Sequence, residues 1–276
     1  MPIRIGHSPD PDDAFMFWAL AEGVVDDGGF EFEFVTEDIQ TLNEWALEDR
    51  LDVTAISLAT YPLVQDGYML LPHGASMGSG YGPVVVAREA ISHADLRDLE
   101  IVTPGRNTTA YLVLRLALGV DVRHRELPFD RIIDEVLAGR ADAGLLIHEG
   151  QLTYEAEGLT KCLDLGEWWL LETGLPLPLG VNVARRALGP EVLTRLSDVL
   201  RGSIEAGLAN RMEAMAYALQ FGRGIDVNLA DRFVGMYVNE LTRDFGDEGR
   251  EAVAELLRRA EAVGAWDAPV KVEFVS

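Results

Sequence analysis

From residue 3 to residue 183, short apolar runs alternate with runs of helical period, and that alternation leaves few folds open. Residues 3–6 read as a strand and 14–22 as a helix, after a turn rich in Pro and Asp. A strand over 30–35 puts Phe30, Phe32 and Phe34 on one face, and an amphipathic helix over 36–48 does the same for Ile39, Leu42, Trp45 and Ala46. A strand over 53–56, a short helix over 58–64 and strands over 68–71 and 83–87 follow, the last two flanking a Gly-rich loop, 74–82. A second alternating set has strands at 100–102, 143–147 and 162–165, and helices at 108–118, 129–138 and from 168. After Arg185 only helices are predicted, over 190–209, 211–221, 229–239 and 248–263. This pattern is that of an α/β protein with mostly parallel sheets.

Two extended segments, 84–88 and 180–185, end in the same Ala-Arg phrase and separate blocks of different composition. If both are crossovers, residues 1–88 and 180–276 form a discontinuous first lobe and 89–179 an inserted second lobe. The helical last third then packs on the first lobe. Two α/β lobes joined by two strands make a hinged cleft, a favoured place for a ligand.

With 276 residues the chain is long enough to bury its core without staples, and 48% hydrophobic and 25% charged residues are ordinary globular values. Cys162 is the sole cysteine, which rules out an internal disulfide or a Cys-rich metal site. The start, MPIRIGHSPD, lacks a basic stretch followed by an apolar run, and no 18 apolar residues occur in succession. A cytoplasmic protein is expected. Acidic residues outnumber basic ones 46 to 23, a net charge of −23. Such a field repels phosphate backbones and anionic lipid, so neither nucleic acid nor a membrane is an expected partner.

Three loops could carry chemistry. The first, His7-Ser-Pro-Asp10-Pro-Asp12-Asp13-Ala14, follows the first strand, where α/β proteins bind ligands. Its Ser8 or Asp12 could cap the next helix, and its carboxylates also suit a hydroxyl-rich ligand or a hard cation. The second, Thr103-Pro-Gly-Arg106-Asn-Thr108-Thr109-Ala-Tyr111, opens a helix with hydroxyls and unpaired N–H groups, an anion site that Arg106 could strengthen; a plain Thr cap explains it equally. The third, Ala143-Gly-Leu-Leu-Ile147-His148-Glu149, ends a buried strand in a histidine, the side chain suited to proton transfer near neutrality or else a structural group. Trp168-Trp169 fits a ligand stack or a helix face.

Taken together, these loops resemble the menaquinone-biosynthesis proteins of the futalosine route. The likeness spans nearly the whole chain. It is carried by Ser8-Pro-Asp-Pro-Asp-Asp-Ala-Phe15, Thr41-Leu-Asn-Glu-Trp-Ala-Leu-Glu48, Pro104-Gly-Arg-Asn-Thr-Thr-Ala-Tyr111, Ile147-His-Glu149, Asp164-Leu-Gly-Glu-Trp-Trp169, Gly174-Leu-Pro-Leu-Pro-Leu-Gly180 and Tyr237-Val-Asn239. The resemblance implies a two-lobed α/β fold like a type II periplasmic binding protein, with a ligand cleft between the lobes, used as an enzyme. It implies a carbon–carbon lyase that cleaves cyclic dehypoxanthinyl futalosine to 1,4-dihydroxy-6-naphthoate, with His148 as general base. Thr108, Thr109 and the segment Ala55-Ile56-Ser57 are implied to bind the substrate, a small carboxylate, and Ser8 and Asp13 of the first loop are assigned with them. No metal or organic cofactor is implied, and the chain is expected to be a monomer or a homodimer. In one respect it departs from the better-known first loop, Ser-Pro-Cys-Pro-Asn-Asp-Thr-Phe: Asp10, Asp12 and Ala14 stand where that form has Cys, Asn and Thr. A solute-binding protein for a small organic acid and a chorismate dehydratase of the same family are the competing expectations.

Overall fold

The computed structural model describes residues 2–221 and 226–276. Eleven strands are formed among them: β1 (Ile3–His7), β2 (Phe32–Thr36), β3 (Val53–Ser57), β4 (Tyr68–Leu70), β5 (Ser76–Gly78), β6 (Val84–Ala87), β7 (Ile101–Thr103), β8 (His124–Glu126), β9 (Ala143–Leu146), β10 (Thr160–Asp164) and β11 (Leu177–Arg185). They build two sheets. The first runs β2-β1-β3-β11-β4, with β5 also on β11; the second runs β10-β6-β9-β7-β8. β1 is parallel to β2 and β3, which places Ile5 between Phe34 and Val53, whereas β11 is antiparallel to β3, β4 and β5. In the second sheet β7 is parallel to β8 and β9, and β6 is antiparallel to β9 and β10.

Val84–Ala87, assigned from the sequence to the first lobe, thus pairs in the second sheet. All four residues are buried between β9 and β10. A run buried on both faces has no alternation to show which sheet it joins. The Gly-rich loop contains β5, and β8 was not foreseen; both are three residues long, too short for a period. The expected 129–138 helix begins as a 3₁₀ turn, Phe129–Arg131, before the helix Ile132–Leu137. The expected 211–221 and 229–239 helices are Arg211–Ala218 and Val227–Tyr237.

The helix Pro11–Ala21 decides how the first loop is presented. Pro11 starts it, and every residue from Pro11 to Leu20 is buried. Its Phe15-Met-Phe-Trp18 run leaves no polar face, so it is covered all round, by the helices Pro190–Ala209, Arg211–Ala218 and Val227–Tyr237. Ser203 of the covering helix donates to Met16 O (2.8 Å) and accepts from Leu20 N (3.2 Å), so the apolar contact leaves no stray hydroxyl. One apolar cluster runs through both sheets, holding Ile56 and Val181 of the first, Val85 and Leu145 of the second, and Trp169 and Phe245.

Candidate active site

The carboxyl ends of β1, β3, β7 and β9 converge between the sheets, and the loops that follow them line a cavity of about 100 Å³. Six of the eight residues assigned to the site from the sequence reach it, Ser8, Asp13, Ser57, Thr108, Thr109 and His148, and Asp10 and Asp12 of the first loop line it with them. Ala55 and Ile56 do not. Their side chains belong to apolar clusters, Ala55 with Leu42 and Leu51, Ile56 with the cluster that spans the sheets, so neither contacts the cavity. Trp169 is likewise wholly buried and donates to Pro176 O, part of the core.

The first loop is laced to itself. Asp10 occupies the N-cap position of the Pro11–Ala21 helix, not Ser8 or Asp12. Ser8 Oγ donates to Asp10 Oδ2 (2.8 Å), and Asp13 Oδ2 accepts from Ser8 N (3.0 Å). Asp12 Oδ2 accepts from Ser76 Oγ (2.9 Å). Three carboxyls in so small a space cannot all ionise freely. Burial pushes Asp12 up to about 8, with Asp13 and Asp10 adding to the shift, and burial also raises Asp13 against the stabilising Ser8 N–H. His7, beneath this loop, stacks with Phe17 and donates through Nδ1 to Ser8 O; burial lowers its pKa, and it is a structural group.

His148 comes from the other sheet. Its backbone is left-handed, φ 55°, a conformation seldom kept by a residue other than glycine without supporting contacts. Those contacts are present. Nδ1 lies 2.8 Å from Asp10 Oδ2, and Phe129 packs edge-on at 4.6 Å between ring centroids. The Gln151 amide, donating to Gly82 O (2.6 Å) and the Tyr237 hydroxyl (2.8 Å), accepts from His148 N (3.2 Å). Burial opposes a charge on the imidazole, but the Asp10 carboxylate outweighs it, and the His148 pKa lies above its ordinary 6.5. With Nδ1 committed to Asp10, Nε2 is the ring nitrogen outside that contact.

The opposite wall is a helix start. Thr108 caps the helix Thr109–Leu118, accepting from Tyr111 N (3.2 Å) and donating to Gly105 O (2.7 Å). The Thr109 hydroxyl donates to Leu179 O (2.6 Å) and accepts from Ala59 N (3.2 Å), tying this helix to the first sheet. Both hydroxyls are therefore engaged with protein, and the anion-binding capacity of this wall lies in the backbone N–H groups of the first turn. Arg106 turns away to Glu126 (2.7 Å) and does not line the cavity. Asn43 fixes Ser57, donating to Ser57 Oγ (3.1 Å) and accepting from Ser57 N (2.8 Å).

Sequence reasoning about single motifs missed Asn43, Ser76 and Gln151. Only Gln151, one helical turn past His148, carried a signal that could have been used. Among the described residues no group of three His, Cys, Asp or Glu side chains is arranged to hold a metal ion, and no helix is long and apolar enough to cross a membrane.

Two sheets with a cavity between their strand ends give the chain a two-lobed fold of the type II periplasmic-binding-protein kind. The ligand-binding component of a Staphylococcus aureus ABC import system superposes with a TM-score of 0.74 at 13% identity, covering 100% of this chain and 96% of that one. The alkanesulfonate-binding protein of Xanthomonas axonopodis does so at 0.73 and 12%, with 98% and 96% covered; at these identities the likeness is one of fold. The chain belongs to the menaquinone biosynthesis family, which it matches over residues 3–262. It is 43% identical over 266 residues to a Thermus thermophilus protein named 1,4-dihydroxy-6-naphthoate synthase, covering 95% of each chain. It is 41% identical over 267 residues to a Streptomyces coelicolor protein of the same name, covering 95% of this chain and 94% of that one. A crystal structure of an Archaeoglobus fulgidus protein is similar at 48% identity, with a TM-score of 0.91 over 96% of this chain and 98% of that one.

Proposed function

We propose that the cavity is the active site of a carbon–carbon lyase of menaquinone biosynthesis, which converts cyclic dehypoxanthinyl futalosine to 1,4-dihydroxy-6-naphthoate, with His148 as general base. The observation that carries the reading is His148 itself. A buried imidazole on a cavity wall, with Nδ1 bound to a carboxylate and Nε2 left over, is built to take a proton from a bound hydroxyl. Its setting is a chain related over nearly its full length to two proteins named for the formation of this product.

The chemistry follows from the two walls. Nε2 removes a hydroxyl proton from the sugar-derived part of the substrate. The oxygen's electron pair becomes a carbonyl bond as the neighbouring carbon–carbon bond breaks, and the pair of that bond passes into the substrate carbonyl on the other side of the break as an enolate, in the manner of a retro-aldol cleavage. The substrate carboxylate lies at the helix start, on the N–H groups of Thr109 and Ala110, away from the acidic loop that would repel it. Ser57, held by Asn43, and Asp13 beside Ser8 present polar atoms to the hydroxyls between these ends. Ala55 and Ile56 support Ser57 from the core rather than touching ligand.

The hinge is placed at the two crossings between the sheets, 79–83 and 165–176, and closure there excludes water from the reacting end. The enzyme is assigned to the cytoplasm, a setting that suits its lone free cysteine. Purified protein mixed with cyclic dehypoxanthinyl futalosine, and separately with chorismate, tests the reading by chromatography of the products. Dihydroxynaphthoate from the first mixture supports it. Turnover of chorismate alone assigns the sister reaction, and tight binding without turnover assigns a solute-binding protein.

A further inference from the structure

We propose that Asp10 is the positioning residue for His148 and that it works across the cleft, so that the base is assembled only where the loop after β1 meets the loop after β9. The inference rests on His148 being the base, as proposed above. It adds a partner that belongs to the other sheet.

Three observations support it. The Asp10–His148 contact is short, 2.8 Å, and both side chains are shielded, with 6% and 14% of their surface exposed. The same carboxylate oxygen accepts from Ser8 Oγ at 2.8 Å, so Asp10 is itself aimed rather than merely nearby. His148 is held from behind by Phe129 and from its own backbone by Gln151, which leaves Asp10 to set the rotation of the ring and the tautomer.

In the neutral imidazole, a proton on Nδ1 donates to Asp10 and leaves the lone pair on Nε2. When Nε2 takes the substrate's hydroxyl proton, the imidazolium forms beside an existing negative charge, and the carboxylate gains no proton. The other charged groups that act on His148 are Glu149 and Asp12, both acidic. With the lobes apart, His148 and Asp10 would be parted, and proton abstraction is thereby confined to the closed cleft.

Turnover of cyclic dehypoxanthinyl futalosine as a function of pH tests this in Asp10→Asn, with His148→Ala beside it. Removing the charge should lower kcat by roughly 10²-fold or more while KM moves by no more than a few-fold. It should also shift the acid limb of the profile to lower pH by about one unit or more, because the neighbour that stabilises the protonated ring is gone. A lowered profile with an unmoved limb marks a purely structural loss and overturns the proposal. An Asp10→Asn variant with wild-type kcat and an unmoved limb overturns the proposal. A His148→Ala variant with wild-type turnover overturns the underlying reading instead, so the two failures are distinct.

A second measurement needs no variant. The ¹⁵N spectrum of the histidines, taken on wild-type protein saturated with 1,4-dihydroxy-6-naphthoate above the His148 titration, should show His148 protonated on Nδ1. The Nε2-protonated tautomer would contradict the role of Asp10 whatever the variants do.

Discussion

Burial holds Asp12 far from the behaviour of its free side chain. Folding raises its pKa from 3.8 to about 8, so the native state holds a proton that the unfolded chain gives up. The stability this proton supplies is complete below pH 4 or so and is lost as pH rises through about 8. Asp12→Asn keeps an acceptor for Ser76 and removes the titration. We expect the variant and the wild type to melt closest together near pH 4 and the variant to melt higher by a margin that widens to several degrees or more near pH 8. Melting curves at the two pH values check this, and an equal gap at both would contradict it. His73 behaves in the opposite sense. Burial and the nearby Arg201 push it down to about 4, so its contribution is present above 6.5 and lost as pH falls through about 4.

At the scale of elements, the segments that carry the family likeness each prove to have a physical task. In Asp164-Leu-Gly-Glu-Trp-Trp169, Asp164 caps the helix Leu165–Thr173, accepting from Gly166 N (2.9 Å) and Glu167 N (3.1 Å), and Trp169 fills the core. Gly166 lies against the Tyr81 backbone so closely that an added Cβ would sit 2.0 Å from its carbonyl. Gly166→Ala must therefore move the backbone of the loop that leads from β5 to β6. It should cost about 3 kcal/mol, read as a lower urea midpoint at unchanged slope. Thr109→Val removes both hydrogen bonds that tie its helix to the first sheet. It should raise KM several-fold with a smaller effect on kcat, because the helix start proposed to hold the substrate carboxylate loses its tether. Steady-state kinetics separates this from a general loss of folding. These elements were legible because capping, burial and helical period are local. The pairing of Asp10 with His148 was not, since it joins loops from two sheets and no spacing along the chain encodes it. Ser57, at the carboxyl end of its strand, lines the cavity, whereas its neighbours Ala55 and Ile56 pack into apolar clusters along a strand that is buried throughout.

Across the whole molecule, alternation of strands and helices was enough to read the α/β class and the existence of two layers. The assignment of Val84–Ala87 to one sheet or the other depended on contacts with β9 and β10 that no local pattern records. The net charge of −23 has a global consequence of its own. A compact body with that excess repels itself, so salt should stabilise it. Raising monovalent salt from about 0.05 M to about 1 M should raise the melting temperature by several degrees, and a flat or falling curve would show that the local pairs already cancel the repulsion. In the proposed function, what matters most is that the two lobes bring one histidine to a cavity wall opposite a helix start. The most direct measurement is the single-turnover rate of cyclic dehypoxanthinyl futalosine cleavage by wild-type protein and by His148→Ala, with substrate binding measured in parallel. Dihydroxynaphthoate from the wild type, a loss of roughly 10²- to 10⁴-fold in the variant and near-normal binding are the predicted result. Cleavage by the variant at the wild-type rate would contradict the account.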